Sequence, residues 1–194
     1  MEIIRDEKAV LFKIVYYGPG LCGKTTNLQQ IFEKLKPEQR LTQEIMTIPT
    51  QTDKTLTFDF MPLTIGKLGS YTVKLSFYTV PGQVHYQASR KIILQDVDGL
   101  VFVADSQVSM REENVKTLRE MKEFLHAQGS ENIPLVLQLN KRDLSGVMTV
   151  DAMLRDLQNG DEPFFAAAAI DGEGVMETMQ TVVRMTVANA NISK

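Results

Sequence analysis

One cysteine, two histidines and no tryptophan occur among 194 residues. A lone cysteine excludes an internal disulfide and, with no signal-peptide pattern at the start, predicts a cytoplasmic protein. His85 and His126 have no Cys or His at ligand spacing, so neither is expected to hold a metal. No apolar run approaches the ~20 residues of a membrane-crossing helix. Glu2 stands where myristoylation needs glycine, and residues 190–194 contain no cysteine to prenylate, so no lipid anchor is expected. A net charge of −3 supplies no strong field of one sign, which argues against nucleic acid as a partner. Repeats, low-complexity tracts and long linkers are absent too. One domain over residues 1–194 is expected, with 1–8 leading into its first strand.

What is present is the run Gly18-Pro19-Gly20-Leu21-Cys22-Gly23-Lys24-Thr25, a G-x-x-x-x-G-K-T phosphate loop. The apolar stretch Val10-Leu11-Phe12, then Ile14 to Tyr17, precedes it, and Leu28, Ile31, Phe32 and Leu35 follow at helical spacing. Strand, glycine loop and helix together form the context in which this pattern binds a nucleoside triphosphate. Glycines let consecutive N–H groups, here from Gly18 and Gly20 to Thr26, turn toward an anion, and the helix start adds its dipole. Lys24 is expected to place a charge between the terminal phosphates, and Thr25 to offer its hydroxyl to Mg²⁺. Cys22, beside Lys24 and a helix start, is expected to have a lowered thiol pKa, and its packing role outweighs redox sensing.

Strands are predicted at 9–17, 55–65, 71–80, 98–105, 134–140 and 163–168. Helices are predicted at 24–35, 84–95, 110–128, 149–158 and 174–190. Residues 56–79 alternate around Gly66 and Gly69, which predicts an antiparallel hairpin at a sheet edge. The other strands are apolar throughout and alternate with helices. The expected fold class is therefore α/β, a doubly wound six-stranded mostly parallel sheet with one antiparallel edge strand and about five helices. Its ligand belongs beyond the carboxyl ends of the strands.

Asn140-Lys141-Arg142-Asp143 follows an apolar strand at that same end. A carboxylate there accepts from the N1–H and N2 amine of guanine, whereas adenine would leave it unpaired. Thr79-Val80-Pro81-Gly82-Gln83 ends another strand, and with Ala168-Ala169-Ile170 these motifs resemble those of Ras-like GTPases. In that family the Gly82 position meets the γ-phosphate, the Gln83 position orients water, and the 168–170 loop contacts the guanine oxygen. Blocks over residues 13–21, 58–63, 78–83 and 101–106 resemble the MglA branch of the Ras superfamily, the bacterial polarity and gliding-motility GTPases.

The resemblance implies a P-loop, Ras-like G domain that binds GTP and GDP with Mg²⁺. It also implies switch segments near 40–57 and 79–90, and a strand that changes register on activation. An MglB-like roadblock homodimer is the implied regulator, and recruitment to a pole or membrane would run through partners. Thr79 replaces the acid of classical Ras proteins, as it does in the MglA branch, and Asp59 is the candidate compensating acid at the metal. Its competing role is a hydrogen bond within the hairpin. Thr55 is the candidate for Mg²⁺ and γ-phosphate in the first switch, with Thr50, Thr52 and Thr57 near enough for a register error. The position before Thr55 is Arg in MglA relatives, where it acts as an internal arginine finger, but here it is Lys54. Lysine lacks the planar fork, so slow hydrolysis is expected. A guanine-nucleotide-regulated scaffold with negligible hydrolysis is the alternative. A P-loop kinase is disfavoured because Arg111, Arg119, Arg142 and Arg155 are dispersed rather than gathered in a lid.

Overall fold

The computed structural model describes residues 1–49, 57–80, 87–158 and 160–190. Its strands are β1 (Glu2–Ile4), β2 (Ala9–Tyr17), β3 (Met46–Pro49), β4 (Thr57–Leu68), β5 (Tyr71–Thr79), β6 (Gly99–Asp105), β7 (Leu135–Asn140) and β8 (Phe164–Ala166). The α-helices are α1 (Lys24–Lys34), α2 (Gln87–Leu94), α3 (Arg111–Ala127), α4 (Val150–Leu157) and α5 (Val175–Asn189). Within one sheet the order is β3-β4-β5-β2-β6-β7-β8, with β1 paired to β2.

Strands β5, β2, β6, β7 and β8 run parallel, and β4 is reversed against β5. The expected six strands become eight among the described residues. The reversed strand is also not the edge, because β3 pairs antiparallel outside it. Both additions escape a pattern search for a physical reason. Strand β1 has three residues, and β3 is mostly exposed and ends in proline, so neither displays an alternating buried face. Strand β1 pairs with Ala9–Leu11 ahead of the point, Ile14, where β6 joins β2.

Successive side chains of a strand face opposite sides of the sheet. In β2, Val10, Phe12, Ile14 and Tyr16 enter one core with Leu28 and Ile31 of α1 and Val175, Met179 and Val182 of α5. Val15 and Tyr17 enter the other, with Leu118, Met121 and Leu125 of α3 and Met153 and Leu157 of α4. Strand β6 divides the same way, Val101 and Val103 against Leu100, Phe102 and Ala104. Burial on both faces is why these strands read as unbroken apolar runs. The loops after β2, β6, β7 and β8 consequently collect at one end of the sheet.

Candidate nucleotide site

The loop after β2 needs glycine at two points. Gly18 has φ +151°, and a Cβ there would lie 2.2 Å from the Val103 carbonyl oxygen of β6. Gly23 has φ +101°, and a Cβ would lie 2.3 Å from Asn140 Nδ2. Gly23 also caps α1 without any side-chain cap, and the first turn of α1 carries no acid. Such a helix start leaves N–H groups and the positive dipole end for an anion. Lys24 is buried, its Nζ donating to the carbonyls of Gly18 (3.1 Å) and Pro19 (2.6 Å). Thr25 is exposed, Gly20 and Thr26 half-buried, and Leu21 points outward. Cys22 corrects the expectation of an acidic thiol. It is fully buried, and desolvation pushes its pKa up despite the nearby Lys24 ammonium.

A second group of oxygens gathers beside Thr25. Thr25 Oγ1 donates to Asp59 Oδ2 at 2.6 Å, and Thr79 Oγ1 donates to the same oxygen at 3.1 Å. The Asp59 N–H donates to Thr79 Oγ1 at 2.9 Å. Asp59 therefore bonds within the β4–β5 hairpin, as one of its two expected roles requires, and also reaches Thr25 of α1. Thr47 of β3, which the sequence did not mark, lies 3.4 Å from Asp59 Oδ1. Thr25, Thr47 and Asp59 share a cleft of about 290 Å³ with Glu33 and Glu44. Thr57 opens β4 opposite Pro49. Thr50, Thr52, Lys54, Thr55, Gly82 and Gln83 lie outside the described residues.

The 140–143 loop meets the glycine loop directly. Asn140 Nδ2 donates to the Cys22 carbonyl at 2.8 Å, and its Oδ1 accepts from the Ala169 N–H at 2.9 Å. One buried amide thus joins three of the predicted motifs. Asp143 is exposed, as is Ile170, while Ala168 and Ala169 are buried. Lys34 of α1 donates to the Gly172 carbonyl at 2.8 Å, which fastens the 168–174 loop to the helix.

Beneath these contacts lies a polar group that sequence reasoning passed over. Asn27 Nδ2 donates to the Gly23 carbonyl at 2.9 Å and to Gln138 Oε1 at 2.7 Å. Gln138 Nε2 donates to Asn27 Oδ1 at 2.8 Å and to Thr178 Oγ1 at 3.1 Å. The available signal was a single glutamine inside an otherwise apolar strand. A larger cavity, about 520 Å³, opens between α3 and the starts of β7 and β8 and contains no predicted site residue.

Residues 3–186 match the ADP-ribosylation factor family. The chain is 47% identical over 175 residues to the mutual gliding-motility protein MglA of Myxococcus xanthus, covering 89% of each. It is 27% identical over 182 residues to human ADP-ribosylation factor-like protein 4A, covering 91% of this chain and 84% of that one. With ADP-ribosylation factor-like protein 6 of Caenorhabditis elegans it shares 28% identity over 178 residues, covering 86% and 82% respectively. The chain therefore belongs to the ADP-ribosylation factor branch of the Ras-like small GTPases, binding guanine nucleotides and hydrolysing GTP as a switch that resembles MglA.

Proposed function

We propose that this GTPase is a polarity or motility switch of the MglA kind, whose segments near 40–57 and 79–90 deliver its output. The observation that carries this reading is the convergence of the glycine loop, Lys24, the Thr25–Asp59 pair and Asn140 at one end of the sheet. Identity of 47% over most of both chains supports the MglA assignment.

The donor sets suit a triphosphate with a hard cation. Lys24 holds its ammonium on carbonyls of the loop itself, so an anion bound there would exchange weak acceptors for strong ones. Gly18, Gly20, Leu21, Cys22, Gly23 and Thr26 line that anion with their backbone. Thr25 and Asp59, joined by Thr55, supply the oxygen ligands that Mg²⁺ prefers. When bound, Mg²⁺ would neutralise charge on the terminal phosphates. Lys24 and Thr55 would hold the γ-phosphate, and the family resemblance gives the Gly82 N–H to that phosphate and Gln83 to the attacking water. Asn140 braces the base loop, Lys141 flanks the base, Asp143 reads it, and Ala168, Ala169 and Ile170 close over its oxygen. An MglB-like roadblock homodimer acts as the regulator, and recruitment to a pole follows from such partners.

Chromatography of nucleotide released from the purified protein tests the reading, together with Lys24→Ala. Loss of a charged hydrogen-bond donor to phosphate should weaken GTP and GDP binding by about 100-fold. Affinity within twofold of wild type would remove the phosphate-loop assignment. Bound adenine nucleotide would remove the role given to Asp143.

A further inference from the structure

Asp105 ends β6, inside the 101–106 block, and has been given no role above. Its side chain is 1% exposed, and Oδ2 lies 2.6 Å from Lys141 Nζ. Oδ1 accepts from the Gln107 N–H at 3.0 Å and from Gln107 Nε2 at 3.2 Å. The main chain of Asp105 is clamped as well. Asn114 of α3 accepts from its N–H at 3.0 Å and donates to its carbonyl at 2.8 Å. A carboxylate so deeply buried survives only when its charge is paired. Here the pairing charge is the second residue of the N-K-x-D loop.

That loop is under conformational constraint. Lys141 has φ +67°, a left-handed backbone few residues other than glycine adopt. Both neighbours are tied down. Asn140 bridges Cys22 and Ala169, while Arg142 donates its N–H to the Ala167 carbonyl at 2.9 Å and Nη1 to the Met148 carbonyl at 2.6 Å. Those ties fix the ends of the turn. Of the described contacts, the Asp105 pair is the one that fixes the Lys141 side chain.

We propose that Asp105 is a positioning residue of the guanine-nucleotide site, holding the Lys141 ammonium so that the 140–143 turn keeps the shape that presents Asp143 to the base. The inference rests on the nucleotide-site reading above. It differs from a role at the phosphates in one respect: Asp105 governs how long nucleotide stays through the base side alone. GDP and GTP should feel its loss equally, and Mg²⁺ should make no difference to the factor.

Stopped-flow release of fluorescent GDP and of a non-hydrolysable fluorescent GTP analogue tests this. Asp105→Asn, which keeps the shape and removes the charge, should speed release of both about tenfold, by the same factor with Mg²⁺ present or chelated. In a Lys141→Met background the same substitution should change release by less than about twofold, because the interaction has already gone. Amide exchange of residues 140–143 in nucleotide-free protein should also accelerate in Asp105→Asn. Should Asp105→Asn fail to fold, Gln107→Leu removes one donor from the carboxylate at a half-buried position, and about threefold faster release is expected. Unchanged release in the variant that folds, equal acceleration in the Lys141→Met background, or an effect that depends on Mg²⁺ overturns the proposal. Wild-type protein that retains no guanine nucleotide would instead overturn the site reading beneath it.

Discussion

Tyr16, the penultimate residue of β2, has its ring centroid 6.1 Å from that of Phe77 and its phenol oxygen buried without a partner among the described residues. A buried hydroxyl that has surrendered water and gained nothing is a net cost, so Tyr16→Phe should stabilise the fold by about 1 kcal/mol. Burial also pushes the phenol pKa well above its ordinary 10.0. The folded state then keeps its proton while the unfolded chain releases it. Below pH 10 that difference leaves stability unaffected, and above it wild type should lose about 1.4 kcal/mol per pH unit through this group. Urea titrations of both proteins at pH 8 and pH 10.5 measure the two effects. The advantage of Tyr16→Phe should widen at the higher pH, and a wild type more stable at both would mean that the hydroxyl has a partner. Cys22 shows the same physics: proximity to an ammonium suggested an acidic thiol, but complete burial dominates.

At the scale of elements, Gln138 joins α1, β7 and α5 through Asn27 and Thr178. Asn27 in turn holds the Gly23 carbonyl at the head of α1, so this buried group sets how the phosphate loop sits on the sheet. Gln138→Leu would leave the Asn27 amide and the Thr178 hydroxyl short of partners and should cost about 2 kcal/mol. Adding Asn27→Leu should recover part of that loss, since two apolar groups replace two mutually satisfied polar ones. A denaturation series over the three variants decides this, and additive losses would show that the two residues act separately. Elements announced by periodicity were legible beforehand: β2 and α1 begin where the pattern places them, and the N-K-x-D loop follows β7. Strand β3 was not legible, because an exposed edge imposes no period on its side chains. Thr47 stayed hidden with it. Asp105 was hidden differently, since a polar residue ending an apolar strand looks the same whether it meets solvent or a buried lysine.

For the molecule as a whole, Lys54 and Gln83 are predicted to act at the end of the sheet where Lys24 and Thr25 stand. The scaffold that supports them is a sheet packed on both faces, and among the described residues no helix is long and apolar enough to cross a membrane. With so much of the site built into strands and one helix, the rate of hydrolysis should turn on what residue 54 supplies. A lysine places one point charge where an arginine would span two oxygens, and an arginine finger contributes about 10³–10⁵ in rate. Lys54→Arg should therefore raise single-turnover GTP cleavage by at least about tenfold in the isolated protein. A roadblock homodimer that acts by closing the switch segments should then accelerate the arginine variant more than the lysine one, because closure aligns a fork only where a fork exists. If both variants hydrolyse at the same rate, alone and with that partner, residue 54 does not reach the phosphates.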